Sequence, residues 1–391
     1  MSMPPHQLDS QVTPEIQPVV RVGLIYSSTG PLAATEISIR QGAIVALEEI
    51  ATQRVAGDTW IEIVDGDYAS DPTTAGRCAR ELLRDGHVDV LVGGYTSASR
   101  VSIIPAVDHV KGVYIYPTYF EGLESHPRTV YTGAVPNQFF EAYLNWIVTN
   151  LGSRIYVIGS DYVYPRTLGV MTQNLARAAG ADIVADRYVP LGSANLDHIV
   201  AEIRELQPDV VISNLVGVDS VRPLYRGLRA AGLGPDDVPV AATVTTEIEV
   251  REIGPEFVEG HYMASTYFNS LENPENVHYV AALKARFGDD AVAHVAQVGA
   301  YNALWVLADG LRRAKGATPD AILKGLVGAT FAGNPEGWPL VIGSNHFSSH
   351  SSYIGRAQAD GSYRVIEEFG PSDPDPYPPT IVPSARRPSL T

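Results

Sequence analysis

The sequence predicts an α/β fold made of two doubly wound, parallel-sheet lobes with a ligand cleft between them. Three observations lead there. Short apolar runs alternate with stretches of helical spacing from Val20 onward. The alternation restarts near Arg154, giving two βα series of about 110 residues each. Several of the apolar runs end in loops rich in Gly, Ser, Thr and Tyr, where open α/β sheets bind their ligands.

Each element has its own justification. Val20–Ser27 is an apolar strand bounded by Ser28-Thr29-Gly30-Pro31, and Ser38–Ala51 carries Ile39, Ala43, Ala46, Leu47 and Ile50 at helical spacing. Trp60–Asp65 alternates as a strand. Asp71-Pro72 opens a helix that runs to about Arg84, with Pro72 in the first turn where its missing N–H is harmless. Val88–Val92 is a continuous apolar run of the buried parallel type, followed by a helix over Ser97–Val107 and a strand over Val113–Tyr116. The second series reads as strands at Arg154–Gly159, Asp182–Val189, Asp209–Leu215 and Val238–Thr243. Helices at Pro165–Ala179, Leu196–Glu205 and Ser220–Ala231 separate them. Helical stretches at Pro274–Phe287, Val292–Ala314 and Thr318–Leu326 belong to neither series in simple order, so the chain is expected to cross between lobes more than once. Pro339–Glu368 reads as short strands and turns. The expected division is a disordered tail over 1–19, a first lobe of 20–133 plus about 268–338, a second lobe of 134–267 plus about 339–370, and a Pro-rich extended surface tail over 371–391.

Composition narrows the function. Of 391 residues, 45% are hydrophobic, enough for a substantial core, and a net charge of -16 disfavours nucleic acid or an anionic membrane as direct partner. The one cysteine, Cys78, excludes an intrachain disulfide and reads as a buried, inert thiol in its helix. No run of 18 apolar residues suggests a membrane span, and the first 20 residues lack the basic and apolar regions of a secretory signal. A cytoplasmic location is therefore expected, with a periplasmic or cell-surface one as the alternative if a signal segment has been removed. Oligomeric state is left open, with a homo-oligomer among the possibilities. No dinucleotide fingerprint, phosphate loop or nucleophile elbow occurs, and no cofactor is called for. His346 and His350 are four apart but lack a zincin glutamate, so a polar hairpin is the better reading.

Tyrosine is in excess, 20 against 9 phenylalanines. Nine of the 20 lie between Tyr95 and Tyr164, and of these Tyr95, Tyr116, Tyr162 and Tyr164 sit on loops that follow strands, with Tyr119 as a further candidate. One loop is Gly93-Gly94-Tyr95-Thr96-Ser97-Ala98-Ser99, in which Ser97 and Ser99 can cap a helix or face a ligand. A second is Tyr116-Pro117-Thr118-Tyr119-Phe120-Glu121-Gly122. A third is Gly159-Ser160-Asp161-Tyr162-Val163-Tyr164-Pro165-Arg166, in which Asp161 and Arg166 can pair. The first two loops hold no cation, which disfavours a strongly anionic ligand. Hydroxyls and aromatic walls suit a small neutral polar molecule such as an amide or urea.

These loops resemble those of type I periplasmic-binding-protein-like receptors of the branched-chain amino acid class. Within that class they are most similar to the amide-sensing, AmiC-type negative regulators of aliphatic amidase operons, and close to urea and short-chain amide transporter binding proteins. Further matching stretches are Val216-Gly217, Thr245-Thr246-Glu247, Tyr267-Phe268 and Pro374-Asp375-Pro376-Tyr377, so the resemblance covers roughly residues 20–380. It implies that Ser97 and Thr118 bond an amide head group, that Tyr162 bonds it from the second lobe, and that Tyr95, Tyr116 and Tyr164 line and size the pocket. Val216, Gly217, Thr246 and Tyr267 follow as further candidates. Thr96 and Tyr119 depart from the pattern. The resemblance implies no enzyme activity but a sensor that sequesters an RNA-binding antitermination protein until amide releases it. The alternative is the substrate-binding protein of a urea or short-chain amide ABC transporter.

Overall fold

The computed structural model describes residues 18–57 and 59–380. The chain begins with β1 (Val19–Ile25), α1 (Ala33–Gln53), β2 (Trp60–Gly66), α2 (Pro72–Arg84), β3 (Val90–Gly93), α3 (Ser97–Val110), β4 (Val113–Tyr116) and β5 (Thr129–Tyr131). Its strands form a parallel sheet in the order β2-β1-β3-β4-β5. The start of α2 is as expected: Asp71 caps it by accepting from the Thr74 N–H at 2.7 Å, and Pro72 fills the first turn.

The chain then builds a second sheet from α4 (Pro136–Asn150), β6 (Arg154–Ser160), α5 (Val163–Ala179), β7 (Asp182–Val189), α6 (Asp197–Leu206), β8 (Val210–Asn214), α7 (Val218–Ala230), β9 (Val240–Ala242), α8 (Glu247–Ile253), α9 (Pro255–Val258) and β10 (Tyr262–Ser265). It returns to pack α10 (Pro274–Phe287), α11 (Val295–Arg313) and α12 (Pro319–Leu326) on the first sheet's side, α10 and α11 against α1 and α12 against α11 and β4. The small β11 (Thr330–Phe331) and β12 (Leu340–Val341) pair with each other. Last, β13 (His350–Ala357) and β14 (Tyr363–Ser372) join the second sheet, whose order is β14-β13-β10-β9-β8-β6-β7. The result is an α/β molecule with a parallel-sheet core in each of two lobes. Helix α11 is buried on nearly every face, and its few buried polar residues, Gln297, Asn302 and Asp309, find hydrogen-bond partners there.

Two expectations need correction. Pro339–Glu368 holds strands and turns as expected, the Asp360-Gly361 turn among them, but only β12 is short: β13 and β14 are eight and ten residues long and pair antiparallel around that turn. Their Ser, His and Gly content masked this, because Ser351 and Ser352 are buried in the sheet despite their polarity. The tail from Pro371 is not merely laid on the surface. Residues 371–372 finish β14, and the described remainder docks. Leu123 N–H donates to Pro376 O at 2.7 Å, Asn137 Nδ2 to Asp373 O at 2.9 Å, and Gln138 Nε2 to Ser372 O at 2.9 Å.

The chain crosses between lobes after β5, after β10 and between β12 and β13. The three crossings converge on a buried pair, Glu336 and His350, 2.8 Å apart. Thr266 of the second crossing donates to Glu336, and Thr132 of the first meets the His350 ring through its carbonyl at 3.1 Å. His350 is thus a structural residue. Among the described residues, no group of three or more His, Cys, Asp or Glu could hold a metal ion, and no helix is long and apolar enough to cross a membrane. Cys78 is free and buried, and burial pushes its thiol up to about 11.

Candidate functional site

Every loop of interest leaves the C-terminal end of a parallel strand. At β3, Gly93 and Gly94 both take positive φ, and a Cβ on Gly93 would lie 2.5 Å from Ile25 O. The glycines let the loop turn sharply into α3. Thr96 caps that helix by accepting from Ser99 N–H at 3.1 Å. Capping therefore falls to Thr96, which releases Ser97.

The lobes meet over these loops and between them line a partly open cavity of about 20 Å³, room for roughly one water-sized body. The first lobe contributes Tyr95, Thr96, Ser97, Thr118 and Tyr119. The second contributes Tyr162, Tyr164, Val216 and Val244. Tyr119 also walls a smaller void of about 10 Å³ with Phe139, Thr243 and Val295. Its ring stands edge-on to Tyr164 at 6.1 Å and to Phe139 at 5.9 Å.

The cavity thus gathers Tyr95, Ser97, Thr118, Tyr162, Tyr164 and Val216 of the expected residues. It does not gather the other four in its wall. Tyr116 is fully buried behind it and donates its hydroxyl to Tyr95 O at 3.1 Å, holding the loop. Gly217 starts α7 with φ 81, and a Cβ there would touch Leu32 of the first lobe. Thr246 spends its hydroxyl and N–H on Glu249, capping α8. Tyr267 gives its hydroxyl to Asn276 at 2.7 Å. Thr96 and Tyr119, the two departures, both line the cavity. Val244 was missed, although it follows β9 and the strand-end rule reaches it. Asp161 and Arg166 pair as expected, at 2.5 Å on the exposed surface.

Hydrogen bonding gives the cavity a direction. Ser97 donates its hydroxyl proton to Glu121 Oε2 at 2.5 Å, and Thr118 donates to Gly94 O at 3.2 Å. The Ser97 and Thr118 hydroxyls therefore have only lone pairs left for a ligand. On the second-lobe wall, the buried Tyr164 hydroxyl has no hydrogen-bond partner of ordinary geometry. Thr243 beside it gives its own proton to Asn214 at 2.8 Å. Burial raises the phenols of Tyr95, Tyr119, Tyr162 and Tyr164 above their ordinary value, so all four are neutral donors at physiological pH.

A cation does stand close to these loops, one residue beyond Ser99. Arg100 is 1% exposed and donates to Glu121 Oε1 at 2.8 Å and to Glu124 Oε1 at 3.0 Å. Its guanidinium lies over the Phe120 ring at 4.3 Å. Position i+3 from Ser97 on a helix was the signal that could have placed it beneath the site.

The periplasmic binding protein domain family matches residues 20–383. The chain belongs to that family. The Leu/Ile/Val-binding protein homolog 7 of Brucella melitensis is 22% identical over 364 residues, covering 89% of this chain and 91% of that protein. A limonene hydroxylase of Geobacillus stearothermophilus is 31% identical over 137 residues. That match takes in 34% of this chain, which spans only about a quarter of the hydroxylase's length, 24%. Among solved structures, an ABC transporter solute-binding protein of R. palustris in complex with 4-hydroxybenzoate superposes with a TM-score of 0.82. It is 20% identical and covers 90% of this chain and 97% of that one, a likeness of fold.

Proposed function

We propose that this family member is the binding component for a small neutral amide or urea, of the kind that delivers solute to an ABC transporter. It works without catalysis, by closing two lobes on its ligand. One observation carries the ligand class: lone pairs of Ser97 and Thr118 face an unpartnered hydroxyl donor, Tyr164, across one small cavity. An amide satisfies both walls, its NH₂ toward the first lobe and its carbonyl toward the second. A short alkyl group would rest among Tyr119, Val216 and Val244.

The transporter reading is supported by relatives whose names describe solute-binding proteins. It favours the periplasmic or cell-surface location over the cytoplasmic one. The sensor reading, with an RNA-binding antitermination protein as partner, shares the same pocket and has the matching loop at Gly159–Arg166 in its favour. Release of such a partner by saturating amide would distinguish it, since a ligand shifts only an equilibrium whose two states it binds unequally.

Thermal shift and calorimetry against acetamide, propionamide, butyramide, urea, leucine and 4-hydroxybenzoate test the ligand class. An amide or urea at 100 times its Kd should stabilise the fold by about 2.7 kcal/mol. Tyr164→Phe should weaken amide binding by about tenfold, the worth of one lost hydrogen bond. A response to leucine or 4-hydroxybenzoate alone overturns the proposal.

A further inference from the structure

We propose that Glu121, which does not line the cavity, is the residue that makes the site reject carboxylates and accept their amides. The inference rests on the small-amide reading above and adds the residue that enforces it. Glu121 is 3% exposed and is held from two sides, by Ser97 through Oε2 and by Arg100 through Oε1. A carboxylate can only accept, so it fixes which way the Ser97 hydroxyl points: the proton goes to Glu121 and the lone pairs go to the ligand. A ligand carboxylate seated on Ser97 and Thr118 would then set its own lone pairs against theirs, with no proton from either hydroxyl.

Charge works in the same direction. Arg100 is shared between two carboxylates, Glu121 and Glu124, so this cluster carries one excess negative charge. Glu124 also accepts from the Tyr131 hydroxyl at 2.6 Å, which fixes it in place. The excess sits one hydrogen bond behind Ser97, in an interior where charges are poorly screened. An anion arriving at Ser97 meets repulsion and mismatched lone pairs together. A neutral amide meets neither.

The experiment measures the amide-to-carboxylate preference with an isosteric pair, propionamide and propionate, by calorimetry on the full chain. The wild-type chain should prefer propionamide by about 100-fold or more, short of the roughly 10⁴-fold by which a site built to bond a polar group can reject an analogue lacking it. Glu121→Gln removes the charge and offers Ser97 a donor. The Ser97 proton is then free for an anion, and the preference should fall at least about tenfold. Glu121→Asp keeps the charge and should keep the preference even where affinity drops. Should Glu121→Gln fail to fold, as judged by circular dichroism and melting, Glu124→Gln serves instead. That position is partly exposed, and the variant removes the excess charge while sparing the Ser97–Glu121 bond. It should lower the preference about threefold or more. A loss of packing alone would weaken both ligands alike and leave their ratio unmoved. An unchanged ratio in folded variants overturns the assignment to Glu121 while the amide site stands. A wild-type chain that binds propionate better than propionamide removes the amide reading itself.

Discussion

Among the buried carboxylates are Glu36, Glu247 and Glu249, and burial is the main cause that raises each of these to about 7 from the ordinary glutamate value of 4.5. Hydrogen bonds partly offset the burial. Glu249 accepts from both the hydroxyl and the N–H of Thr246, and Glu247 from Asn269 N–H at 2.8 Å. A carboxyl that binds its proton more tightly when folded favours folding in full below pH 4.5. That contribution is lost as pH rises through about 7. Glu249→Gln keeps an acceptor for Thr246 and removes the ionisation. It should therefore stabilise the fold at pH 8 by about 1–3 kcal/mol, with a much smaller effect at pH 5. Urea unfolding at the two pH values measures it, and an equal effect at both would mean that Glu249 titrates as it does in the unfolded chain. At this scale the sequence was a partial guide. Loop membership placed Tyr95, Ser97, Thr118 and Tyr164 at the cavity, but it does not encode where a side chain points. Tyr116 and Tyr267 sit in matching stretches and turn into the core instead, each to satisfy a buried hydroxyl.

The loop after β4 is held by close packing from behind. A Cβ on Gly133 would lie 2.2 Å from the Thr118 backbone, and one on Gly299, within α11, would lie 2.5 Å from Pro117 O. Both neighbours are backbone, which cannot rotate away. Gly299→Ala sets two effects against each other. Alanine is the better helix former by about 1 kcal/mol, while the forced shift of Pro117 costs about 1–3 kcal/mol or more. With the contact this short, the clash should win. The variant should melt lower and bind ligand more weakly, because Thr118 moves with the loop. A higher melting temperature with unchanged affinity would show that the loop yields freely. Elements with a strong local signal were legible in the sequence: α2 with its Asp71 cap, β4, β7 and α10 lie where their patterns place them. The length of β13 and β14 was not. Their buried serines are tolerated because the sheet covers them, and that environment arises only from residues far away in sequence.

At the scale of the molecule, two lobes follow from βα alternation that restarts, and the sequence shows that restart directly. The pathway of the chain between lobes is less visible. The Glu336–His350 pair, the Thr132 contact and the docking of Asp373 to Asn137 join residues from 14 to 236 positions apart, and no local pattern records them. The lobes are closed, since one core cluster runs without a break from Leu32 and Val295 of the first side to Leu168, Met171 and Val216 of the second. That closure has a kinetic consequence. The cavity's walls come from both lobes, and its room of about 20 Å³ is too small for an amide while the lobes stay together. A ligand therefore enters when the lobes stand apart, and it leaves by the same route. Opening is then a clock that ligand concentration cannot speed up. In stopped-flow measurements of tyrosine fluorescence, the observed binding rate should climb with amide concentration and then level off at the opening rate. A rate that stays proportional to concentration throughout would mean that the molecule has a door elsewhere.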